Sequence, residues 1–233
     1  MKHAFGKIND DTVELLKVNG YDVVIPRDQV CCGSLHAHNG EGKAAIDLAK
    51  RNIDRFDGKE YKYLISNSAG CGAFMKEYGH LLKNDPDYSE KAQKFSQKVK
   101  DITELLAEID FEDHCNPVSA DVTYHDACHL CHTQKITRQP RQVLSRIPGI
   151  NLRELEDSTW CCGSAGIYNV MEYDSARKFL EKKMENIKST HAQIVVTGNP
   201  GCIGQIKGGI QQFGEKIEVL HPVELIIRSY KKG

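Results

Sequence analysis

The stretch DSTWCCGSAGIYNV at residues 157–170 repeats a pattern that the chain has already used at residues 28–41, DQVCCGSLHAHNGE. Two segments of each half correspond at offsets of 130 and 131: Cys31-Cys32-Gly33 with Cys161-Cys162-Gly163, and Gly70-Cys71 with Gly201-Cys202. Self-similarity at a nearly fixed offset indicates one structural unit that is used twice. We therefore predict two repeats, residues 1–114 and 115–233, which meet in a polar stretch around Pro117.

Short apolar runs alternate with helical periods along both halves of the chain. The runs expected to form strands are residues 21–26, 62–66, 122–125, 151–155, 192–198 and 217–221. Apolar residues at three-to-four spacing indicate helices at residues 10–19, 40–56, 70–82, 92–109, 136–146, 173–189, 202–213 and from Pro222 onward. Such alternation is typical of parallel βαβ units, whose sheet is covered by helices. We expect an α/β fold of two pseudo-symmetric Rossmann-like lobes with parallel sheets.

The first lobe is expected to be incomplete. Carrying Cys128 back by the offset of 130 gives a position ahead of Met1. The first lobe should therefore lack both its opening strand and one cysteine. Three explanations remain open at this point: the chain is a fragment, its start is misassigned, or the first half has lost its metal site.

Composition and charge exclude several classes of protein. The formal net charge is −1 over 233 residues with both signs interspersed, so the basic face that a nucleic acid would require is not expected. No apolar run approaches the roughly 20 residues that a membrane-spanning helix needs, and the amino terminus lacks a signal-peptide core. We expect a cytoplasmic protein without a transmembrane segment, compatible with peripheral contact at the inner face of the membrane. No hydrolase, P-loop or dinucleotide motif is present, so we predict no catalytic residue.

Nine cysteines are more than disulfide chemistry explains in a reducing cytosol. In the second half, four of them each follow a predicted strand or begin a predicted helix: Cys128, Cys161, Cys162 and Cys202. Because open parallel sheets place their ligands at the carboxyl ends of the strands, these thiols should converge there. Four thiolates suit either tetrahedral zinc or an iron–sulfur cluster. The adjacent pair favours the cluster, because structural zinc sites usually take ligands two to four residues apart.

Four segments together resemble the CCG-type region of the glycolate oxidase iron–sulfur subunit: CCGSLHAHNGEG, NSAGCGAFMKEYGHLL, YHDACHL and CCGSAGIYNV. Similar regions occur in lactate-utilisation proteins, anaerobic glycerol-3-phosphate dehydrogenase and heterodisulfide reductase. The resemblance covers essentially the whole chain. It implies an iron–sulfur electron-transfer subunit, or a fragment of one, that relays electrons from an FAD-bearing glycolate or lactate dehydrogenase subunit toward quinone or another acceptor. The alternatives are a heterodisulfide-reductase-like redox subunit and a zinc-binding or metal-free interaction module.

The resemblance also bears on the ligands. In heterodisulfide reductase each motif ends in C-x-x-C and the fifth thiol supports a non-cubane cluster, whereas Phe74 and Gln205 stand at those positions here. One four-thiolate [4Fe–4S] cubane is therefore expected in the second motif. The first motif should hold an incomplete or labile site on three thiols: Cys31, Cys32 and Cys71.

Other groups are expected around the cluster without being primary ligands. They are His125, His129, Gly163, Gly201 and Cys131. A hydrogen bond to sulfur would tune the cluster, although simple packing is the alternative for the histidines. Cys131 is either an exchangeable ligand or a bystander, and Cys115, alone in a polar stretch, is expected to be an ordinary thiol.

Overall fold

The structure, a computed structural model, describes residues 4–26, 28–58 and 60–231. Every strand pairing within this part of the chain is parallel, and helices separate most of the strands. The predicted α/β class with parallel sheets is confirmed. The chain divides into two compact units, a larger one formed by Met1–Val23 with Thr103–Gly233 and a smaller one formed by Val24–Ile102.

The regular elements alternate much as the sequence predicts. The described strands are β1 (Leu64–Ser66), β2 (Val99–Asp101), β3 (Ala120–Tyr124), β4 (Ile150–Arg153), β5 (Ile194–Val196) and β6 (Glu218–Leu220). The described helices are α1 (Gly6–Val18), α2 (Ser34–His38), α3 (Gly42–Phe56), α4 (Ala69–Lys76), α5 (Tyr78–Leu81), α6 (Ser89–Lys98), α7 (Ile102–Leu106), α8 (Gln139–Ser145), α9 (Tyr168–Met171), α10 (Tyr173–Ser189), α11 (Pro200–Phe213) and α12 (Pro222–Tyr230). No helix in the described ranges is both long and apolar enough to cross a membrane.

The larger unit is built on a four-stranded parallel sheet in the order β4-β3-β5-β6. Strand β5 is apolar and buried at all its positions, as expected for a strand covered on both faces. Val122 of β3 lies opposite Leu152 on one side and Ile194 on the other. Because β3 and β5 are neighbours in the middle of the sheet, the loops that leave their carboxyl ends start side by side.

The smaller unit contains one parallel pair, β1 and β2, in which Leu64 lies opposite Val99. Its core includes the stacked rings of Tyr78 and Phe95, whose centroids are 5.3 Å apart. Helix α4 begins three residues after β1 ends. Cys71 therefore lies in the first turn of a helix that follows a parallel strand.

The N-terminal helix α1 belongs to the larger unit, where it packs against α12. The Asn19 side-chain amide, just after α1, donates a hydrogen bond to the Tyr230 hydroxyl at 3.0 Å. The compact units are thus interleaved along the chain, whereas the repeats predicted from the sequence are consecutive. The repeat boundary between residues 114 and 115 stays a prediction.

The strand predicted at residues 21–26 is wrong, because these residues form no ladder in the described part of the chain. Val24 and Ile25 are 72% and 58% exposed. A β-branched run becomes a strand only where a neighbouring strand and a sheet face receive it. Here the run is a connection without regular secondary structure whose residues are partly or fully exposed.

The continuous helix predicted at residues 92–109 is also wrong. Helix α6 ends at Lys98, β2 occupies the next three residues, and α7 follows. The apolar stripe continues across the break because α6, β2 and α7 all bury side chains, including Phe95, Val99 and Ile102. Periodicity alone therefore could not reveal the short strand.

Candidate metal centre

Three strands of the larger unit direct cysteines to one edge of the sheet. Cys128 follows β3 and immediately precedes a π turn at His129–Thr133. Cys161 and Cys162 lie in the loop that follows β4, and Cys202 lies in the first turn of α11, after β5. The structure thus brings together the four thiols that the sequence predicts as ligands.

The four sulfurs form a continuous series, which we call the sulfur row: Cys128, Cys161, Cys162 and Cys202. Hydrogen bonds link Cys128 to Cys161, Cys161 to Cys162, and Cys162 to Cys202. The outer members, Cys128 and Cys161, are partly exposed, whereas Cys162 and Cys202 are buried. The row therefore runs from a surface cleft into the protein interior.

Neighbouring thiols of the row shift one another's pKa in opposite directions. Hydrogen bonds from the thiols of Cys128 and Cys162 hold the pKa of Cys161 far below its usual range, and the bond from Cys128 has the larger effect. Cys162 in turn holds the pKa of Cys202 well below its usual range. The pKa of Cys128 and that of Cys162 are raised in turn. The main cause is the hydrogen bond that each thiol makes to a neighbouring sulfur, and burial adds to it. All four become thiolates together only when a cation neutralises them.

The glycine of the second motif has a steric role. Gly163 has a φ of +90°, a conformation that other residues rarely adopt. A Cβ at this position would lie 2.4 Å from the carbonyl oxygen of Ala176 in α10. The Gly163 N–H donates to the Cys161 sulfur at 3.3 Å. The tight turn thus lets the loop lie against α10 while one backbone N–H faces a sulfur.

The start of α11 stabilises the thiolate of Cys202. Asn199 is the residue that precedes the helix, and its side-chain amide donates to the Cys202 sulfur at 3.5 Å. The N-terminal end of a helix carries a partial positive charge, which favours an anion there. A Cβ at Gly201 would lie 2.9 Å from the Ser164 hydroxyl, so the small residue keeps the helix start close to the second motif.

His125 lies at the inner end of the sulfur row and is 1% exposed. One of its ring nitrogens and the sulfurs of Cys162 and Cys202 all lie within 4.8 Å of one another. Among the described residues, neither ring nitrogen has a partner at hydrogen-bond geometry, and the ring's interaction with the Cys202 sulfur contributes to the low pKa of that thiol. A buried imidazole without such a partner, beside four thiols, suits a site that receives a metal group. On this observation the residues fit an iron–sulfur cluster or another thiophilic metal.

Two further predicted neighbours lie near the outer end. The Nδ1 atom of His129 is 3.7 Å from the Cys128 sulfur. Cys131 is 5% exposed and its thiol donates to the Cys128 carbonyl oxygen at 3.8 Å. The Cys131 sulfur is thus engaged with backbone, and its role as ligand or bystander stays a prediction.

A cleft of about 340 Å³ opens at the outer end of the sulfur row. Its walls include Cys128, Cys161 and the rings of Trp160 and Phe179. Trp160 is 47% exposed although it is large and apolar. The cleft gives solvent, or another molecule, access to one edge of the candidate centre while the inner edge stays closed.

The first motif in the smaller unit has the same local construction with three thiols. Cys32 forms hydrogen bonds with both Cys31 and Cys71, and Ser68 with Cys71. Hydrogen bonding from Cys32 lowers the pKa of Cys31 to about 5 and that of Cys71 to about 7. The Cys32 thiol donates to both of these sulfurs, and these hydrogen bonds raise its own pKa.

Sequence reasoning missed two charged side chains behind the second motif. Lys183 is 0% exposed, and Arg141 holds the 3% exposed carboxylate of Asp126 with hydrogen bonds at 2.9 and 2.8 Å. A lysine in a helix is normally expected to face solvent. The available signal was spacing, because Lys183 continues the buried stripe that includes Ala176 and Leu180.

The fold and the site define a class: an α/β protein with paired cysteine-rich motifs at the carboxyl ends of parallel strands. The chain belongs to the CCG family, described as a cysteine-rich domain, which matches residues 1–76 and 122–207. This family membership confirms the resemblance found in the sequence.

Three curated relatives are similar over nearly the whole chain. The protein named "Probable glycolate oxidase iron-sulfur subunit" of Bacillus subtilis is 43% identical over 98% of this chain and 52% of its own length. "Lactate utilization protein A" of Oceanobacillus iheyensis is 29% identical over 99% of this chain and 93% of its own length. "Lactate utilization protein A 1" of Bacillus cereus is 29% identical over 92% and 90%. The chain thus spans about half the length of the B. subtilis relative.

Proposed function

We propose that this chain is an iron–sulfur electron-transfer subunit, or part of one, of a flavin-dependent glycolate or lactate dehydrogenase. The observation that carries the proposal is the sulfur row, four thiols in contact at the carboxyl edge of a parallel sheet. The printed name of the B. subtilis relative includes an iron–sulfur subunit, and those of the other two include lactate utilization. Under this proposal the chain would act as one subunit of an oxidoreductase and would not be catalytic alone.

The residues that would hold a [4Fe–4S] cluster are the four of the sulfur row. Such a cluster, when bound, accepts and releases single electrons without transfer of atoms. The protein's contribution is the environment: burial of Cys162 and Cys202 excludes water, and N–H···S contacts from Gly163 and Asn199 favour the anionic sulfurs.

Electron exchange with partners is proposed to occur through the outer edge, at Cys128 and Cys161. These two thiols line the cleft beside Trp160, whereas the inner thiols are closed to solvent. The electron donor would be an FAD-bearing dehydrogenase subunit, and the acceptor a quinone or another carrier. Such a chain would work in the cytoplasm, with peripheral contact at the inner face of the membrane.

Anaerobic reconstitution with ferrous iron and sulfide tests the proposal. We expect iron and acid-labile sulfide to bind together, with visible absorption that bleaches on reduction. Cys161→Ser and Cys202→Ser should each abolish most of this binding in the larger unit. Cys115→Ser is the matched control, because the Cys115 thiol contacts Ser229 and Phe111 instead of the sulfur row. Bound metal without acid-labile sulfide would contradict the iron–sulfur proposal.

One observation favours a second candidate, a mononuclear zinc site. Ligand atoms of His125, Cys162 and Cys202 lie within 4.8 Å of one another, and tetrahedral zinc with 2.3 Å Zn–S bonds places its sulfurs roughly 3.8 Å apart. Three inner donors could therefore hold one ion. Under this candidate, zinc binds stoichiometrically, and Cys128→Ser leaves its affinity nearly unchanged because the outer thiol is not needed.

A further inference from the structure

Lys183 is a buried cation directly behind the second motif. Its side chain lies on α10 and is 0% exposed. The Nζ atom donates to the carbonyl oxygens of Asp157 at 2.5 Å and Ser158 at 3.4 Å. Within the described part of the chain these are its hydrogen bonds, and both acceptors are neutral. A buried ammonium with neutral partners is costly, so an anion nearby is expected to compensate it.

Two neighbouring carboxylates also raise the pKa of Lys183, but neither is both buried and without a counter-ion. Both oxygens of Asp126 are held by Arg141, and the side chain of Asp157 lies at the surface. Burial lowers the pKa of Lys183 to about 8, and the influences that oppose this are, in order of size, Cys162 of the sulfur row, the two aspartates and Cys161. Once a bound cation holds all four sulfurs of the row as thiolates, they are the buried anions best placed to balance the Lys183 charge.

The first motif supplies an internal comparison. Asn52, 131 residues before Lys183, stands at the corresponding position in the smaller unit. Its side-chain oxygen accepts from the Val30 N–H at 3.2 Å, and its amide donates to the Cys31 carbonyl oxygen at 3.1 Å. A neutral amide thus holds the equivalent loop. Because fixing the loop requires no charge, the charge at Lys183 calls for a separate explanation.

We propose that the Lys183 ammonium is the counter-charge of the metal centre on the sulfur row, and that it raises both the metal affinity and the reduction potential of that centre. The inference rests on the proposed function, since it takes the sulfur row as the ligand set. A reduced thiolate-bound cluster is more negative than the oxidised one, so a fixed buried cation stabilises the reduced form more. In the first motif the corresponding residue, Asn52, is neutral, so that motif has no such counter-charge at the equivalent position.

The first test is a redox titration of the reconstituted full chain. Lys183→Asn introduces the amide that the first motif already uses, and Lys182→Asn removes a charge from the exposed face of the same helix as a matched control. We expect Lys183→Asn to shift the midpoint potential of the second centre to lower values by at least about 59 mV, a tenfold change for a one-electron couple. Lys182→Asn should match the wild type.

The second test separates the charge from a loop-holding role, with Co²⁺ as the probe. Lys183→Asn should weaken Co²⁺ binding at least tenfold while the metal-free protein becomes no less stable to urea, because a buried charge has been removed. A loop-holding role predicts a less stable metal-free protein with an unchanged midpoint potential, and that result overturns the inference. If the wild type binds neither iron nor Co²⁺, the proposed function fails as well. If it binds both and Lys183→Asn alters neither potential nor affinity, the inference alone fails.

Discussion

Cys31 is the cysteine most accessible to reagents in the first motif, because it is exposed while Cys32 is buried. The neighbouring Cys32 thiol lowers the pKa of Cys31 to about 5, whereas the pKa of Cys32 is raised. Thiolate is the nucleophilic form, so in metal-free protein we expect iodoacetamide to modify Cys31 in preference to Cys32. Its alkylation rate should level off above about pH 6 instead of rising toward pH 9, which peptide mass spectrometry across pH would measure.

The variant Cys32→Ala supplies the control for this pH profile. Without the Cys32 donor, the pH dependence of Cys31 alkylation should move upward toward that of an ordinary thiol. A profile that rises only around pH 9 in the wild type would show that Cys31 is not held as a thiolate.

Gly163 carries the steric requirement of the second motif. In Gly163→Ala the new Cβ would lie 2.4 Å from the Ala176 carbonyl oxygen, at a φ of +90°. We expect a loss of about 3 kcal/mol in the free energy of unfolding, since the strained backbone conformation and the displaced helix both add to the cost. Urea denaturation measures this directly.

Two other glycines calibrate that measurement. Gly33→Ala should cost less than Gly163→Ala, because its nearest approach, to the Ala45 carbonyl oxygen, is 3.1 Å. Gly204→Ala, inside α11 with nothing within 4 Å, should stabilise the protein by roughly 0.5–1 kcal/mol through helix propensity. Equal costs for Gly163→Ala and Gly33→Ala would contradict the steric account.

At the scale of elements, the Arg141–Asp126 pair ties three segments together. Arg141 on α8 binds the carboxylate that follows β3, and the Asp126 N–H donates to the Ser158 carbonyl oxygen at 3.1 Å. Arg141→Met would leave a carboxylate that is 3% exposed without its partner. We expect a loss of about 3 kcal/mol in the free energy of unfolding, since removing one member of a buried pair strands the other charge.

The double variant Arg141→Met/Asp126→Asn completes this test. Removing both charges should recover much of the loss, because no unpaired carboxylate remains. The ion pair does not have the proposed structural role if Arg141→Met alone lowers the free energy of unfolding by less than about 1 kcal/mol. The same conclusion follows if the double variant is less stable than the Arg141→Met variant by more than about 1 kcal/mol.

Local sequence patterns predicted most helices and strands correctly. The predictions that were wrong concern segments whose structure depends on whether a neighbouring strand pairs with them. Helix α10 was predicted at its observed bounds because its apolar stripe is long and regular. The run around Val24 was misread since its strand character depends on a neighbour, and β2 was missed since Val99 also fits a helical stripe.

The same division applies to the candidate centre. The four cysteines of the sulfur row could be predicted from the repeated CCG motifs and the order of the strands, because residues that follow parallel strands lie at the same edge of the sheet. Lys183 and Arg141 could not be assigned from the sequence, since their importance depends on what their charges face after folding. The structure thus adds the electrostatic surroundings to a ligand set that the sequence already suggested.

At the scale of the whole molecule, the two motifs offer unequal numbers of thiols to a metal. The larger unit gathers four sulfurs in its row, and the smaller unit gathers three. Anything that binds the folded form alone stabilises it by mass action, to a degree set by its affinity. We therefore expect anaerobic loading with ferrous iron and sulfide to slow amide hydrogen exchange more in Thr103–Gly233 than in Val24–Ile102.

Reciprocal variants decide whether this protection follows the motifs. Cys161→Ser should cancel the metal-dependent slowing within Thr103–Gly233, including at the Gly163 N–H that faces the Cys161 sulfur, and leave any slowing in Val24–Ile102 unchanged. Cys31→Ser should do the reverse. Equal protection of both segments in the wild type, or loss from both segments in either variant, would show that the two motifs do not bind metal as separate sites with different numbers of ligands.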